Sequence, residues 1–92
     1  MSAGSDSTDQ IAQTVRQVLT DILSLKPATA ANLQADTRLF GSLPELDSMA
    51  VAGLLTELED RLGIIIDDDD VDGQLFASFG SLVAFAQAKV AG

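Results

Sequence analysis

Apolar side chains that recur every three or four residues constrain the fold of this chain most. The segment DQIAQTVRQVLTDILSL places six of them on one face of a helix: Ile11, Val15, Val18, Leu19, Ile22 and Leu23. Ser7 or Asp9 is expected to cap the start of this helix, and Pro27 to stop it, since the residue before a proline avoids the helical region. The pattern predicts a first helix over about residues 8–25, after a flexible tail of residues 1–7.

Two further segments repeat the helical spacing. A second helix is predicted over residues 48–62, where Gly63 is a natural C-terminal stop. The last helix is predicted over LVAFAQAKVA, with Ser81 as its N-cap, and DVDGQLF gives at most a short third helix. The run Ile64–Ile66 has no second strand-like segment to pair with, which favours a buried connection.

The connection between the first two predicted helices, residues 26–47, is longer than most loops in compact domains. Its apolar residues are expected to pack onto the core: Leu33, Leu39, Phe40, Leu43 and Leu46. The predicted fold is therefore all-α, a four-helix bundle of three main helices and one short helix, with a long loop between helices 1 and 2. Residues 8–92 form its one domain.

Composition excludes several classes of protein. Fourteen acidic residues against five basic ones give a net charge of −9, which repels nucleic acid and anionic lipid. No apolar stretch is long enough to span a membrane, and the N-terminus lacks the pattern of a secretory signal, so we expect a cytoplasmic protein. No helix has a second apolar face, which favours a monomer.

The acidic run near residue 70 is the most conspicuous local motif. Asp68, Asp70, Asp72 and Gly73 match the opening of a calcium-binding loop, D-x-D-x-D-G. Such a loop needs a glutamate at its twelfth position, where this chain has Phe79. We therefore expect no metal site, and carboxylates that cap the short third helix instead.

Ser48 stands where an acidic, proline-containing loop gives way to the second predicted helix. A serine nucleophile needs a base beside it, but the chain has no histidine, and Lys26 and Lys89 lie at the ends of other helices. No catalytic residue is therefore predicted. Two roles stay open on the residues alone: Asp47 or Ser48 caps the helix, or Ser48 is modified by another protein, since a helix N-terminus favours an attached phosphate.

The segments LDSMAVAGLLTELEDRLGIIIDDDD and LFASFGSLVAFAQ resemble the acyl carrier protein family, which includes peptidyl carrier domains. The family hallmark, Asp-Ser-Leu or Asp-Ser-Met at the start of the second helix, matches Asp47, Ser48 and Met49. An aliphatic helix ending in acidic residues, an Ile-rich acidic connection and a Phe-x-Ser turn follow in the family's order. The resemblance covers about residues 8–91.

The resemblance implies a carrier rather than an enzyme, with 4′-phosphopantetheine attached covalently to Ser48 by a separate phosphopantetheinyl transferase. Asp47 would help the metal of the transferase or orient the serine. The arm ends in a thiol that holds acyl groups as thioesters. Partner enzymes would contact Met49, Ala52, Thr56, Glu57, Glu59 and Asp60. The acyl cargo would be sheltered by Val51, Leu54, Leu55, Leu58, Phe79 and Val83.

The chain departs from the fatty-acid-synthase carriers in the early outward face of its second helix. Ala52, Gly53 and Thr56 stand there instead of acidic residues, and Gly53 suggests the close approach of a partner. The segment LPELDSMAV resembles carriers found beside acyl–AMP ligases in exosortase-type gene clusters. We therefore expect a specialised stand-alone carrier of a lipid or specialised-metabolite pathway. An acyl–AMP ligase or acyltransferase would load it, and synthases or transferases would use the acyl group. Two alternatives are a peptidyl or aminoacyl carrier, and an unmodified helical adaptor in which Ser48 is only a helix cap.

Overall fold

The computed structural model describes residues 3–43 and 46–91, with the side chains of residues 10–40, 43, 46, 47 and 49–91. Its helices are α1 (Ala3–Leu23), α2 (Pro27–Ala31), α3 (Leu39–Ser42), α4 (Ser48–Leu62) and α5 (Phe79–Ala91), with one 3₁₀ turn at Asp68–Asp70. The described part contains no strand, so the all-α prediction is confirmed. None of its helices is long and apolar enough to cross a membrane.

Helix α1 begins five residues earlier than predicted. Ser7 and Asp9 lie inside the helix, so neither can be its N-cap, and residues 3–7 of the predicted tail are helical. Residues 1–2 of that tail lie outside the described residues. The helix ends at Leu23 because Ser24 takes a left-handed φ of 53° and the amide of Leu25 bonds the carbonyl of Thr20 at 3.1 Å.

Pro27 begins a new helix instead of stopping α1. It occupies the first turn of α2, where its missing N–H costs nothing. The predicted long loop therefore contains two short helices, α2 and α3. Four of its five apolar residues are buried as predicted: Leu33, Leu39, Leu43 and Leu46. Phe40 is the exception, because 53% of its surface is exposed and its ring meets the edge of Phe76, with the centroids 5.6 Å apart.

Helix α4 has the predicted bounds. Asp47 caps its start, and Gly63 ends it with a left-handed φ of 65°. The amide of Ile64 then bonds the carbonyl of Glu59 at 3.2 Å, which closes the last turn. Of the three following isoleucines only Ile64 is buried, and Ile65 is 75% exposed, so the expectation of a buried Ile-rich connection holds only in part.

The segment before α5 differs from its prediction in two ways. DVDGQLF contains no α-helix but a run of turns over residues 73–76, with the 3₁₀ turn just before it. The hydroxyl of Ser78, and not that of Ser81, accepts the first-turn N–H, from Ser81 at 3.1 Å. Helix α5 thus starts early enough to bury Phe79 in its first turn.

The core lies where α1, α4 and α5 meet, and its fully enclosed side chains are aliphatic: Val15, Val18, Leu19, Leu39, Leu54, Leu58, Leu82 and Ala86. No polar or charged side chain of the described residues is buried. Gly53 faces α1 rather than an external partner, since a Cβ at this position would lie 3.8 Å from Cγ2 of Ile22. The expectation that Gly53 marks the approach of a partner is therefore wrong.

Candidate functional site at the start of helix α4

The start of α4 is fixed by the helix cap that precedes it. Asp47 adopts an extended backbone, and its carboxylate accepts the N–H of Ala50 at 2.8 Å. The Asp47 carbonyl accepts the N–H of Val51 at 2.9 Å, the first bond of the helix. Ser48 is therefore the first helical residue, and the cap belongs to Asp47. The side chain of Ser48 lies outside the described part of the chain.

The residues around Ser48 divide between the core and the surface. Leu43 and Leu46 are buried, and the amide of Leu46 bonds the carbonyl of Leu43 at 3.1 Å. Asp47 is exposed, and 86% of the Met49 side chain is exposed. The two leucines thus anchor the approach to α4, and the tripeptide Asp47-Ser48-Met49 begins at the surface.

This position fits an attached phosphate. The free amides and the dipole of a helix N-terminus favour negative charge there. Serine supplies the hydroxyl that a phosphodiester needs, and its two neighbours in the chain, Asp47 and Met49, are exposed. The residues present therefore fit a phosphopantetheine group whose phosphate joins the first residue of α4.

One face of α4 continues from this end. Met49, Ala52 and Thr56 are all exposed and lie at steps of three and four along the helix. The Thr56 hydroxyl donates to the carbonyl of Ala52 at 3.0 Å, so its polar atom is already bonded within the helix. We define these three residues as the small-residue face. This face is uncharged, and apart from Met49 its side chains are small.

The acidic residues beyond this face have structural partners. Glu57 accepts from Arg61 at 2.8 Å, and Arg61 also reaches Asp21 of α1 at 2.7 Å. Hydrogen bonds from Arg61 and then from Gln17 hold the pKa of Asp21 below its ordinary value. The bond to Asp21, followed by the bond to Glu57, raises the pKa of Arg61. This network joins the C-terminal half of α4 to α1.

Glu59 and Asp60 differ in burial and in their hydrogen-bond partners. Glu59 is half-buried, and its carboxylate accepts the N–H of Ile66 at 2.7 Å, which fixes the connection after α4. Asp60 is exposed. Of the acidic residues predicted to dock partners, Asp60 therefore presents its charge most openly, while Glu57 and Glu59 hold the fold.

The carboxylates of the acidic run are also used locally. Asp70 bonds Lys89 at 2.7 Å and accepts the N–H of Asp67, and the Lys89 bond is the larger cause that lowers the pKa of Asp70. Asp72 accepts the N–H groups of Gln74 and Leu75 at 2.9 and 3.0 Å, so it caps the turn that replaces the predicted helix. Within the described residues, no three carboxylates are placed to hold a metal ion.

The residues predicted to shelter the cargo all belong to the hydrophobic core or pack against it. Leu54 and Leu58 are fully enclosed in the core, and Leu55 is half-buried. Phe79 and Val83 line a groove of about 320 Å³ between α1 and α5. Val51 lines a different groove of about 350 Å³, which begins one turn after Ser48.

Phe40, Val71 and Phe76 line the groove next to Val51 and were absent from the predicted site. Phe40 was expected in the core, and Phe76 lies in the segment expected to be helical. The sequence offered one signal for two of these residues: Phe40 and Phe76 are two of only four aromatic residues in the chain. Their meeting across the connection depends on the tertiary fold.

Comparisons with known proteins agree with this geometry. The family model of a phosphopantetheine attachment site matches residues 13–86. The solution NMR structure of a holo acyl carrier protein from Nitrosomonas europaea is similar, with a TM-score of 0.82 and 38% sequence identity over 90% of this chain and 99% of that one. No curated protein matches the chain. The chain belongs to the acyl carrier protein family, whose members are carriers of 4′-phosphopantetheine and not enzymes.

Proposed function

We propose that this protein carries acyl groups as thioesters on a 4′-phosphopantetheine attached to Ser48, and presents them to enzymes of a lipid or specialised-metabolite pathway. The observation that carries the proposal is the position of Ser48 as the first residue of α4, between the exposed Asp47 and Met49. The family match spans this position. When bound, the group supplies the thiol that a chain without cysteine lacks.

Asp47 has two roles in the proposal. Its carboxylate caps α4, which fixes the backbone of Ser48 at the helix start. Because the side chain is exposed, its charge is also accessible to a transferase that esterifies the Ser48 hydroxyl from coenzyme A. Asparagine caps helices about as well as aspartate. Asp47→Asn should therefore keep the fold and slow the attachment, whereas Asp47→Ala weakens both.

The small-residue face is the proposed contact for partner enzymes. Met49 supplies exposed apolar surface next to the attachment point, and Ala52 and Thr56 allow close approach. Asp60, near the other end of α4, and the net charge of −9 steer basic surfaces towards the protein. The proposed partners are a phosphopantetheinyl transferase, a loading acyl–AMP ligase or acyltransferase, and acyl-using synthases or transferases.

Intact-mass measurement tests the attachment. The protein would be incubated with coenzyme A and a promiscuous phosphopantetheinyl transferase. We expect one added phosphopantetheine on the wild type and none on Ser48→Ala. Ser81→Ala is the matched control, because it removes a hydroxyl from the first turn of another long helix, and it should be modified normally. An unmodified wild type beside a carrier that is modified in the same assay would refute the proposal.

Two alternatives are separated by further observations. An adaptor in which Ser48 only caps α4 is disfavoured, because Asp47 supplies that cap. A peptidyl or aminoacyl carrier would have the same arm and a different cargo. Mass spectrometry of the holo protein from its native cells would distinguish them: a fatty or carboxylic acyl group supports the proposal, and an amino acid contradicts it.

A further inference from the structure

A second hollow lies next to the groove that begins at Val51. The groove is lined by Phe40, Val51, Val71, Asp72, Gly73 and Phe76, of which Phe76 is only 2% exposed. The second hollow, of about 350 Å³, shares three of these residues and adds Arg38 and Ala77. The two hollows therefore adjoin at Phe40, Gly73 and Phe76, and together they are called the groove: Val51 lines the first hollow, near Ser48, and Arg38 lines the second.

Arg38 differs from the other arginines of this acidic chain. Arg16 donates to the carbonyl of Ala30 at 2.6 Å and lies over the ring of Phe79, and Arg61 bonds two carboxylates. Lys89 is paired with Asp70. Within the described residues, Arg38 makes no side-chain hydrogen bond or ion pair, and its side chain is exposed. Arg38 therefore brings a positive charge to the lining of the second hollow.

We propose that this groove selects acyl groups that end in a carboxylate. The methylene chain lies against Phe40 and Val51, and the terminal carboxylate pairs with the guanidinium of Arg38. The inference rests on the proposed attachment at Ser48, because Val51 is one helical turn from that residue and so brings the groove within reach of a tethered chain. It adds the chemical class of the cargo, an acyl group with a second acid at its far end.

Charge complementarity decides between this cargo and a methyl-ended chain of the same length. Both chains bury similar apolar surface against Phe40 and Val51, but only the carboxylate pairs with Arg38, whose planar guanidinium suits that group. Asp72, whose Oδ1 accepts two backbone N–H groups, also lines the groove, and its negative charge reduces the preference. Because Arg38 is exposed, the preference should be modest, about two- to fivefold in the occupied fraction of the groove.

The test uses the holo protein loaded on Ser48 with carboxylate-ended and methyl-ended acyl groups of equal length, from six to ten carbons. Intact mass first establishes loading. Chemical shifts of the Phe76 ring and of Arg38 Nε–Hε then report how much of the chain lies in the groove. Arg38→Gln removes the guanidinium, and Lys26→Gln is the matched control because it removes another exposed basic charge that lines neither hollow.

We expect the carboxylate-ended chains to occupy the groove two to five times more than their methyl-ended partners. Arg38→Gln should abolish this preference, and Lys26→Gln should keep it. Equal occupancy in the loaded wild type, or a preference that survives Arg38→Gln, would overturn the inference and leave the carrier function intact. Failure of every chain to load would overturn the attachment at Ser48 and this inference together.

Discussion

Gly80 lies where the connection between α2 and α3 meets the first turn of α5. Its N–H bonds the carbonyl of Ala35 at 2.8 Å, and the neighbouring N–H of Phe79 bonds the carbonyl of Thr37 at 2.8 Å. A Cβ on Gly80 would stand 2.7 Å from the Ala35 carbonyl oxygen and 3.1 Å from the Ala35 Cβ. Gly80→Ala must therefore displace backbone, since no flexible side chain is available to move instead.

The size of the effect follows from three terms. Overpacking of this kind costs about 1–3 kcal/mol, and weakening the adjacent hydrogen bond costs roughly 0.5–1.5 kcal/mol more. Alanine is favoured over glycine in a helix by about 1 kcal/mol, which offsets part of the cost. Gly80→Ala should therefore lower the free energy of unfolding by about 1–3 kcal/mol. In a domain of this size each 1 kcal/mol lowers Tm by roughly 4–8 °C.

Gly53→Ala is the matched control for this experiment. The added Cβ would meet Ile22 at 3.8 Å, an ordinary contact, so the helix preference is not opposed. Gly53→Ala should stabilise the protein by up to about 1 kcal/mol. Urea unfolding followed by far-UV circular dichroism gives both free energies. The reasoning would be refuted if both variants changed the free energy of unfolding in the same direction, or if Gly80→Ala were as stable as the wild type.

Three other outcomes follow from the contacts. Leu54→Ala removes a fully enclosed side chain and should lower the free energy of urea unfolding by about 2–5 kcal/mol; a loss below 1 kcal/mol would contradict this packing. Asp47→Ala removes the cap of α4 and should cost about 1 kcal/mol in the same measurement, whereas Asp47→Asn should cost little; equal losses would argue against the cap. The hydrogen bond with Lys89 lowers the pKa of Asp70. Asp70 therefore stabilises the fold at pH values above its ordinary pKa of 3.8, and this contribution is lost as the pH falls through the lowered pKa. Asp70→Asn should therefore melt below the wild type at neutral pH and converge with it in acid; a constant difference would contradict the pairing.

Local signals predicted α4 well. Asp47 before the helix and Gly63 after it are strong cap residues, and the apolar spacing between them is regular, so the bounds Ser48–Leu62 followed from the sequence. The start of α1 could not be found this way, because its first seven residues lack an apolar stripe and are rich in residues that also favour turns. Helices α2 and α3 have only five and four residues, too few for a period to emerge.

The features of the candidate site that depend on neighbouring residues were predictable, and those that depend on tertiary contacts were not. The Asp47-Ser48-Met49 tripeptide and its place at a helix start were predictable, because cap chemistry acts over neighbouring residues. The structural partners of Glu57 and Glu59 were only partly predictable. The Glu57–Arg61 pair follows from i,i+4 spacing, but the contacts with Asp21 and Ile66 depend on tertiary packing. The groove between Phe40 and Phe76 depends on the same packing.

The central claim is that Ser48 carries the phosphopantetheine, and site localisation tests it most directly. The wild type would be modified by the transferase, digested, and sequenced by tandem mass spectrometry across the peptide that contains both Ser42 and Ser48. We expect the full added mass on Ser48 and none on Ser42 or any other hydroxyl. The group on another residue, or no group in a preparation whose transferase is active on a second carrier, would contradict the account.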